Sequence, residues 1–214
     1  MNKKILVSGL LALVITAGNA QTDHAVATEK AQLSGYVYNE HGCYGFTAPH
    51  GWILDNKILA DQGVGMAFYP ADSDWNSARM AIYTKIYSSA KNKGYQEIVA
   101  EEIASVRESY KKEGIEVSAK KREAFSGKDG SNGELWHLDY GNGLEEQVVY
   151  FPLGAGTVGV FVLQMDGKTD KAKAIAALRT LASSYHLRQE CKPCQDETSC
   201  TNEQAVPRIN DDLL

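Results

Sequence analysis

The chain has 214 residues, 43% of them hydrophobic, with 27 acidic against 22 basic side chains and a formal net charge of −5. That balance argues against a nucleic-acid binder, which needs clustered Lys and Arg to meet phosphates; the one basic run, Lys120-Lys121-Arg122, is short and reads as a solvated strand end. The length suits one domain with tails, and a domain of this size buries roughly 70% of the surface its unfolded chain exposes.

Lys3 and Lys4 precede an apolar run over 5–17, followed by the small residues Gly18 and Ala20. This is the layout of a secretory signal peptide over 1–20. The run is shorter than the about 20 apolar residues a membrane span requires, and no later stretch repeats it, so a soluble mature protein is expected. Gln21, not a cysteine, follows Ala20, which predicts no lipid anchor. Without Lys3 and Lys4 the remaining 194 residues carry 20 bases against 27 acids, a formal charge of −7. Export would place the protein in the periplasm or outside the cell, where thiols oxidise. Cys43, Cys191, Cys194 and Cys200 are therefore disulfide candidates, with three pairings open. Cys43 lies at the entry to the domain and the other three in its tail; the preferred pairing is Cys43 with Cys194 or Cys200.

Residues 21–34 are small and polar, a flexible lead-in with no apolar period. A strand can start over 36–38, and 43–48 is the first clear one. Its continuation, Tyr44-Gly45-Phe46-Thr47-Ala48-Pro49-His50-Gly51-Trp52, organises the rest. Pro49 sets φ near −65° and lacks an amide donor, Gly51 tolerates positive φ, and the chain must turn there. The turn delivers Phe46 and Trp52 to one core. Strands follow over 52–54 and 66–69, the second closed by Pro70. Over 79–88, Met80, Ile82, Thr84 and Ile86 alternate with Ala81, Tyr83, Lys85 and Tyr87, the pattern of a central strand.

Asn92-Lys93-Gly94 breaks that strand. Tyr95, Ile98, Val99, Ile103, Val106 and Tyr110 then recur at helical spacing, with acids early and lysines late, and Gly114 ends the helix. Strands return over 116–124, 134–140, 145–151 and 157–165. Lys128-Asp129-Gly130, Gly141-Asn142-Gly143 and Gly154-Ala155-Gly156 punctuate them, which predicts an antiparallel meander. Thr169 or Asp170 can cap a last helix running to His186, with the stripe Ala172, Ile175, Leu178, Leu181, Ala182 and Tyr185. The order predicts an α+β domain over 35–187: a single antiparallel β-sheet covered by two main helices. Past Leu187 a polar, Cys-containing tail, 188–214, has little reason to be ordered without cross-links.

The opening Gly45-Phe46-x-x-Pro49-x-Gly51-Trp52, together with this order of elements, resembles the PsbP-like family. Its fold also includes the Ran-binding nuclear import factor and small bacterial envelope proteins, and the resemblance covers about 36–187. It implies an α/β/α sandwich and a non-enzymatic domain that binds other proteins or assists an envelope process, and it transfers no catalytic residue. The missing lipid-bearing cysteine and the Cys-rich tail depart from the family pattern.

Candidate chemistry is sparse. Gly154-x-Gly156-x-x-Gly159 matches a dinucleotide fingerprint in letters, but that motif needs a following helix N-terminus and here a strand follows, so no cofactor is expected. Cys191-Lys192-Pro193-Cys194 has redox spacing yet follows a helix, where the dipole raises rather than lowers a thiol pKa. His137 and Asp139 share one strand face and could orient an imidazole or hold a metal, the basis of an alternative reading as a metal-binding protein or hydrolase-like enzyme. His41, Cys43 and His50 are a second conceivable metal group. The expected partner or ligand patch is Trp75, Tyr83, Tyr87 and Tyr95, aromatics around the central strand and its exit. The resulting expectation is an exported accessory or binding protein of the bacterial cell envelope. It would take another protein or an envelope component as partner and use no cofactor or metal; a disulfide-dependent secreted effector or inhibitor is the third reading.

Overall fold

The computed structural model describes residues 34–39, 42–56, 58–59, 64–89, 93–154 and 156–188. The expected leader, nearly all of the lead-in, His41 and the tail cysteines Cys191, Cys194 and Cys200 lie outside the described residues. Ser34–Asn39 (β1) and Gly42–Thr47 (β2) form an antiparallel hairpin in which Tyr36 opposes Gly45. Beyond β2 the expected turn forms: Trp52 N donates to Pro49 O at 3.2 Å, and Gly51 adopts φ +76°. That conformation strains any side chain with a Cβ, which is why glycine sits there. Phe46 and Trp52 are both buried in one core cluster, as the motif predicts.

The same turn carries the chain from one sheet to another. Trp52–Asp55 (β3), Met66–Pro70 (β4), Met80–Ser88 (β5), Ser118–Ser126 (β6), Asn132–Asp139 (β7), Glu145–Gly154 (β8) and Thr157–Met165 (β9) form a seven-stranded sheet in the order β3-β4-β5-β9-β8-β7-β6. Every pairing in it is antiparallel, including the β6-to-β9 meander. The expectation of a single sheet is corrected: β1, β2 and a last short strand, His186–Leu187 (β10), make a separate three-stranded sheet. The reason is edge occupancy. β2 pairs with β1 on one side and β10 on the other, so it offers no edge to β3.

The outer strands of the large sheet are protected in two ways. β3 is four residues long. β6 carries Lys120, Lys121 and Arg122 and has a register shift between Lys121 and Glu123, so it presents charge and a bulge instead of a flat ladder.

Tyr95–Lys111 (α1) and Lys171–Ser183 (α2) form separate apolar clusters with alternate residues of the sheet. The last helix is shorter than its periodicity suggests, stopping at Ser183. The Ser184 hydroxyl accepts from Thr47 N at 2.7 Å, and β10 then pairs with β2. Tyr185 extends the apolar stripe in sequence but belongs to the connection. Asp170, one of two expected caps, accepts from Lys173 N at 3.1 Å. The inward stripe of α2 also differs: Ala174 and Ala177 are buried while Ala172 is exposed. Small residues let this helix sit close to the large rings beneath it.

Those rings are Tyr44, Phe46, Phe68, Phe151, Phe161 and Tyr185, with Phe151 and Tyr185 stacked at 3.9 Å. Tyr44 reaches from β2 onto the large sheet, donating to the carbonyls of Lys85 or Val160, each at 3.3 Å. Its ring passes over Gly159, where a Cβ would lie 2.9 Å from Tyr44 Cε1. Gly159 is therefore a close-approach residue. Gly154 and Gly156 belong to the β8–β9 hairpin, and no helix follows them.

Candidate binding site beneath and beside helix α1

On β5 the alternation places Tyr83, Lys85 and Tyr87 on one face and Ile82, Thr84 and Ile86 on the other. Tyr83 and Tyr87 pack in the α1-side cluster, while Ile82 and Ile86 pack in the α2-side one. β8 adds Glu146, Val148 and Tyr150 to the α1 side, and β7 with its exit adds Trp136, Leu138 and Tyr140. α1 covers this face with Ile98, Val99 and Ile103. Gly94 is the N-cap of the helix, and its N–H donates to Glu97 Oε2 at 2.9 Å.

A polar group is embedded in this layer. Glu146 is buried, with Tyr140 Oη donating to its Oε2 at 2.7 Å and Tyr83 Oη to its Oε1 at 3.5 Å. Burial raises its pKa, against the lowering effect of the Tyr140 hydrogen bond and the Lys85 charge. Lys85 Nζ lies over the rings of Tyr83 and Tyr87, 5.2 and 5.8 Å from their centroids, a cation–π arrangement. Among the described residues no carboxylate comes within 4.0 Å of it. Burial lowers the Lys85 pKa, opposed by Glu102 and Glu146. The tyrosines are held protonated: burial first, then Glu146, pushes Tyr83 up, and burial followed by Glu146 pushes Tyr110 to about 12.

A second buried carboxylate under the same helix behaves in the opposite way. Glu134 accepts from Lys121 Nζ and Gln96 Nε2, both at 2.6 Å, and from Trp136 Nε1 at 3.1 Å. Burial pushes its pKa up, but these donors outweigh it and the net shift is downward. Three donors, one of them cationic, keep Glu134 ionised. Glu146 has only hydroxyls.

Beside this layer a cleft of about 400 Å³ opens between the end of β5 and α1, lined by Tyr87, Ser88, Ser89, Ile98, Glu102 and Ser105 among others. Lys93 and Glu101, which form an ion pair, stand at the same cleft. It offers one aromatic face, hydroxyls and a carboxylate, a lining suited to a polar ligand or a protruding side chain.

The expected aromatic patch is partly assembled. Tyr83 and Tyr87 meet through Lys85. Tyr95 is anchored at the start of α1, its hydroxyl donating to Tyr150 O at 2.9 Å. Trp75 stands apart, edge-on to Tyr69 at 6.0 Å, and shares with Tyr83 only the small cluster of Leu59, Val64 and Ala67. Lys85, Glu146, Glu102 and Tyr140 were absent from the expected patch, although the period of two puts Lys85 between two tyrosines and Glu146 in line with Val148 and Tyr150.

His137 and Asp139 do not form a pair. His137 Nε2 lies 3.3 Å from Glu145 Oε2 and its Nδ1 lies 2.6 Å from the Arg122 guanidinium. Glu145 also accepts from Lys171 Nζ at 2.5 Å, while Asp139 caps its turn by accepting from Gly141 N at 2.9 Å. The two residues are thus engaged in separate local networks. Among the described residues no group of three or more His, Cys, Asp or Glu is disposed to hold a metal, and no helix is long and apolar enough to cross a membrane. Cys43 is buried and is not a free thiol. Arg188 lies beside it, its N–H donating to Cys43 O at 3.4 Å and its guanidinium 4.9 Å from the Tyr36 ring centroid.

No family model matches this chain, and no curated protein matches it. Among solved structures it is similar to the solution structure of cyanobacterial PsbP from Synechocystis sp. PCC 6803, with a TM-score of 0.47 and 18% identity over 77% of this chain and 98% of that one. It is also similar to a crystal structure from Bacteroides thetaiotaomicron VPI-5482, with a TM-score of 0.37 and 9% identity over 71% of this chain and 47% of that one. The first of these carries the name of the family that the opening motif and element order resemble.

Proposed function

We propose that this chain is an exported accessory or binding protein of the bacterial cell envelope, without a reaction of its own, and that it engages its partner through the cleft beside α1. The observation that carries this reading is the cleft itself, bordered by Tyr87 and Glu102 and backed by a layer in which tyrosines mix with valines and isoleucines. An aromatic ring beside a carboxylate and several hydroxyls supplies the contacts that a polar or basic group on a partner needs.

We further propose that Cys43 is bridged to a cysteine of the tail. The chain leaves β10 directly alongside Cys43. At about 3.3–3.6 Å of reach per residue, Cys191, Cys194 and Cys200 all lie within range, so the tail would be tethered next to the small sheet.

Capture from an envelope extract, comparing wild type with Tyr87→Ala and Glu102→Ala, tests the reading. The expected outcome is a partner retained by wild type and lost with the cleft variants, and retained after exposed substitutions on α2. A partner lost only on removal of 188–214 would move the binding surface to the tail. A partner indifferent to every one of these changes would remove the cleft from consideration.

A further inference from the structure

We propose that α1 is seated on the sheet by a proton-linked latch centred on Glu146. The latch shares the α1-side layer with the residues that border the cleft proposed above and would regulate it through that helix, but its test reads the helix and needs no ligand. Glu146 is 7% exposed, and its hydrogen-bond partners are the hydroxyls of Tyr140 and Tyr83, with no cation within 4.0 Å among the described residues. A neutral carboxylic acid fits this setting. An ionised one sits beneath the apolar side of α1 without an ion-pair partner within 4.0 Å among the described residues, which is costly unless the cover lifts.

The groups facing Glu146 come from every packed element. β5 contributes Tyr83, Lys85 and Tyr87; the exit of β7 contributes Tyr140; β8 itself contributes Tyr150; β9 presents Val162 and, opposite Glu146, Gln164; and α1 brings Glu102 and Tyr110. Lys85 offsets part of the charge at a distance, and Glu102 adds to it. Lifting α1 would hydrate Glu146, Lys85 and Glu102 together.

The sign follows from linkage. The seated state holds the Glu146 proton more tightly than the lifted state, in which the carboxyl is hydrated. Seating is therefore strongest below the ordinary carboxylate pKa of about 4.3 and weakens as pH rises to the raised value, by a factor of about ten in the opening constant for each unit between the two. Lys85 works in the opposite direction, favouring the seated state only where its amine is neutral, on the alkaline side. Opening is thus easiest in the neutral range.

Amide hydrogen exchange of the intact protein, corrected for the intrinsic pH dependence of exchange, reads this directly, with α2 as internal reference. Opening of α1 relative to α2 is expected to rise several-fold from about pH 5 to about pH 8 in wild type, and to stay flat in Glu146→Gln, which keeps an acceptor for Tyr140 but cannot ionise. Tyr140→Phe removes the shortest hydrogen bond to the carboxylate, one that lowers its pKa in the seated state, and is expected to extend the rise to higher pH, a second reading should Glu146→Gln fail to fold. Parallel responses of the two helices in wild type, a rise retained in Glu146→Gln, or an unshifted rise in Tyr140→Phe overturns the latch.

Discussion

The two faces of the seven-stranded sheet are built on different principles. Under α2, phenylalanines, two tyrosines and small alanines interlock, with Phe161 touching four other rings and Tyr185 stacked flat on Phe151. Under α1, valines share the space with tyrosine hydroxyls, Lys85 and two glutamates, and a cleft runs alongside. The first face binds the small sheet and the large one into one core, since Val37, Tyr44 and Phe46 belong to its cluster. The second combines a valine-rich apolar cluster with hydrogen bonds to two glutamates, Glu134 and Glu146. Stability is concentrated on one side and responsiveness on the other.

The comparison breaks most directly at Phe161. Phe161→Ala is expected to cost about 3–5 kcal/mol in denaturant unfolding, because it opens a cavity among four rings. The corresponding truncation on the other side, Tyr110→Ala, removes a half-buried ring 4.5 Å from Tyr140 and should cost less than half as much. Equal losses would mean that the two faces bear equal load.

Gly159→Ala comes next. Its Cβ would press on the Tyr44 ring at 2.9 Å, and overpacking of this kind costs about 1–3 kcal/mol. Pairing it with Tyr44→Leu should recover part of that loss in a double-mutant cycle; strict additivity would show that ring and glycine do not meet.

The two glutamates sharpen the contrast by pH. Glu134 is depressed in the fold by its three donors, so its contribution is present above the ordinary carboxylate pKa and is lost as pH falls through the lowered value. Glu134→Gln should therefore flatten the acid-side loss of stability in urea midpoints measured from neutral to about pH 3. Glu146 has the reverse sign, and its substitution should leave that acid limb in place. Asp170→Ala, which removes the α2 cap, is expected to lower stability by about 1 kcal/mol. Smallest of all, Arg179→Ala breaks the exposed contact with Glu123 and should change stability by less than about 1 kcal/mol.

Much of the architecture was legible because it is written in periods. The alternation through Tyr83, Lys85 and Tyr87, the spacing of Ile98, Val99 and Ile103, and the glycines between strands each report a local geometry that neighbouring residues enforce. The opening motif likewise announced its turn and the shared burial of Phe46 and Trp52. Less of the site could be read. Tyr83 and Tyr87 were named, but Trp75 meets Tyr69 edge-on and joins Tyr83 only through the small cluster around Ala67, and His137 finds Arg122 and Glu145 rather than Asp139. The period of two says which face a side chain takes and leaves open which residue of the next strand it meets.

The chain's order therefore determined on its own where most strands, helices and turns fall, the end of α2 and β10 excepted, since propensity, capping and glycine conformation act over a few residues. Tertiary structure alone decided that β2 would join β10 rather than β3, that Tyr44 would lie over Gly159, and that Glu134 would receive a lysine while Glu146 received only hydroxyls. Those outcomes depend on register between segments far apart in sequence. A shift of two residues in either partner keeps the alternation of faces intact and replaces every neighbour.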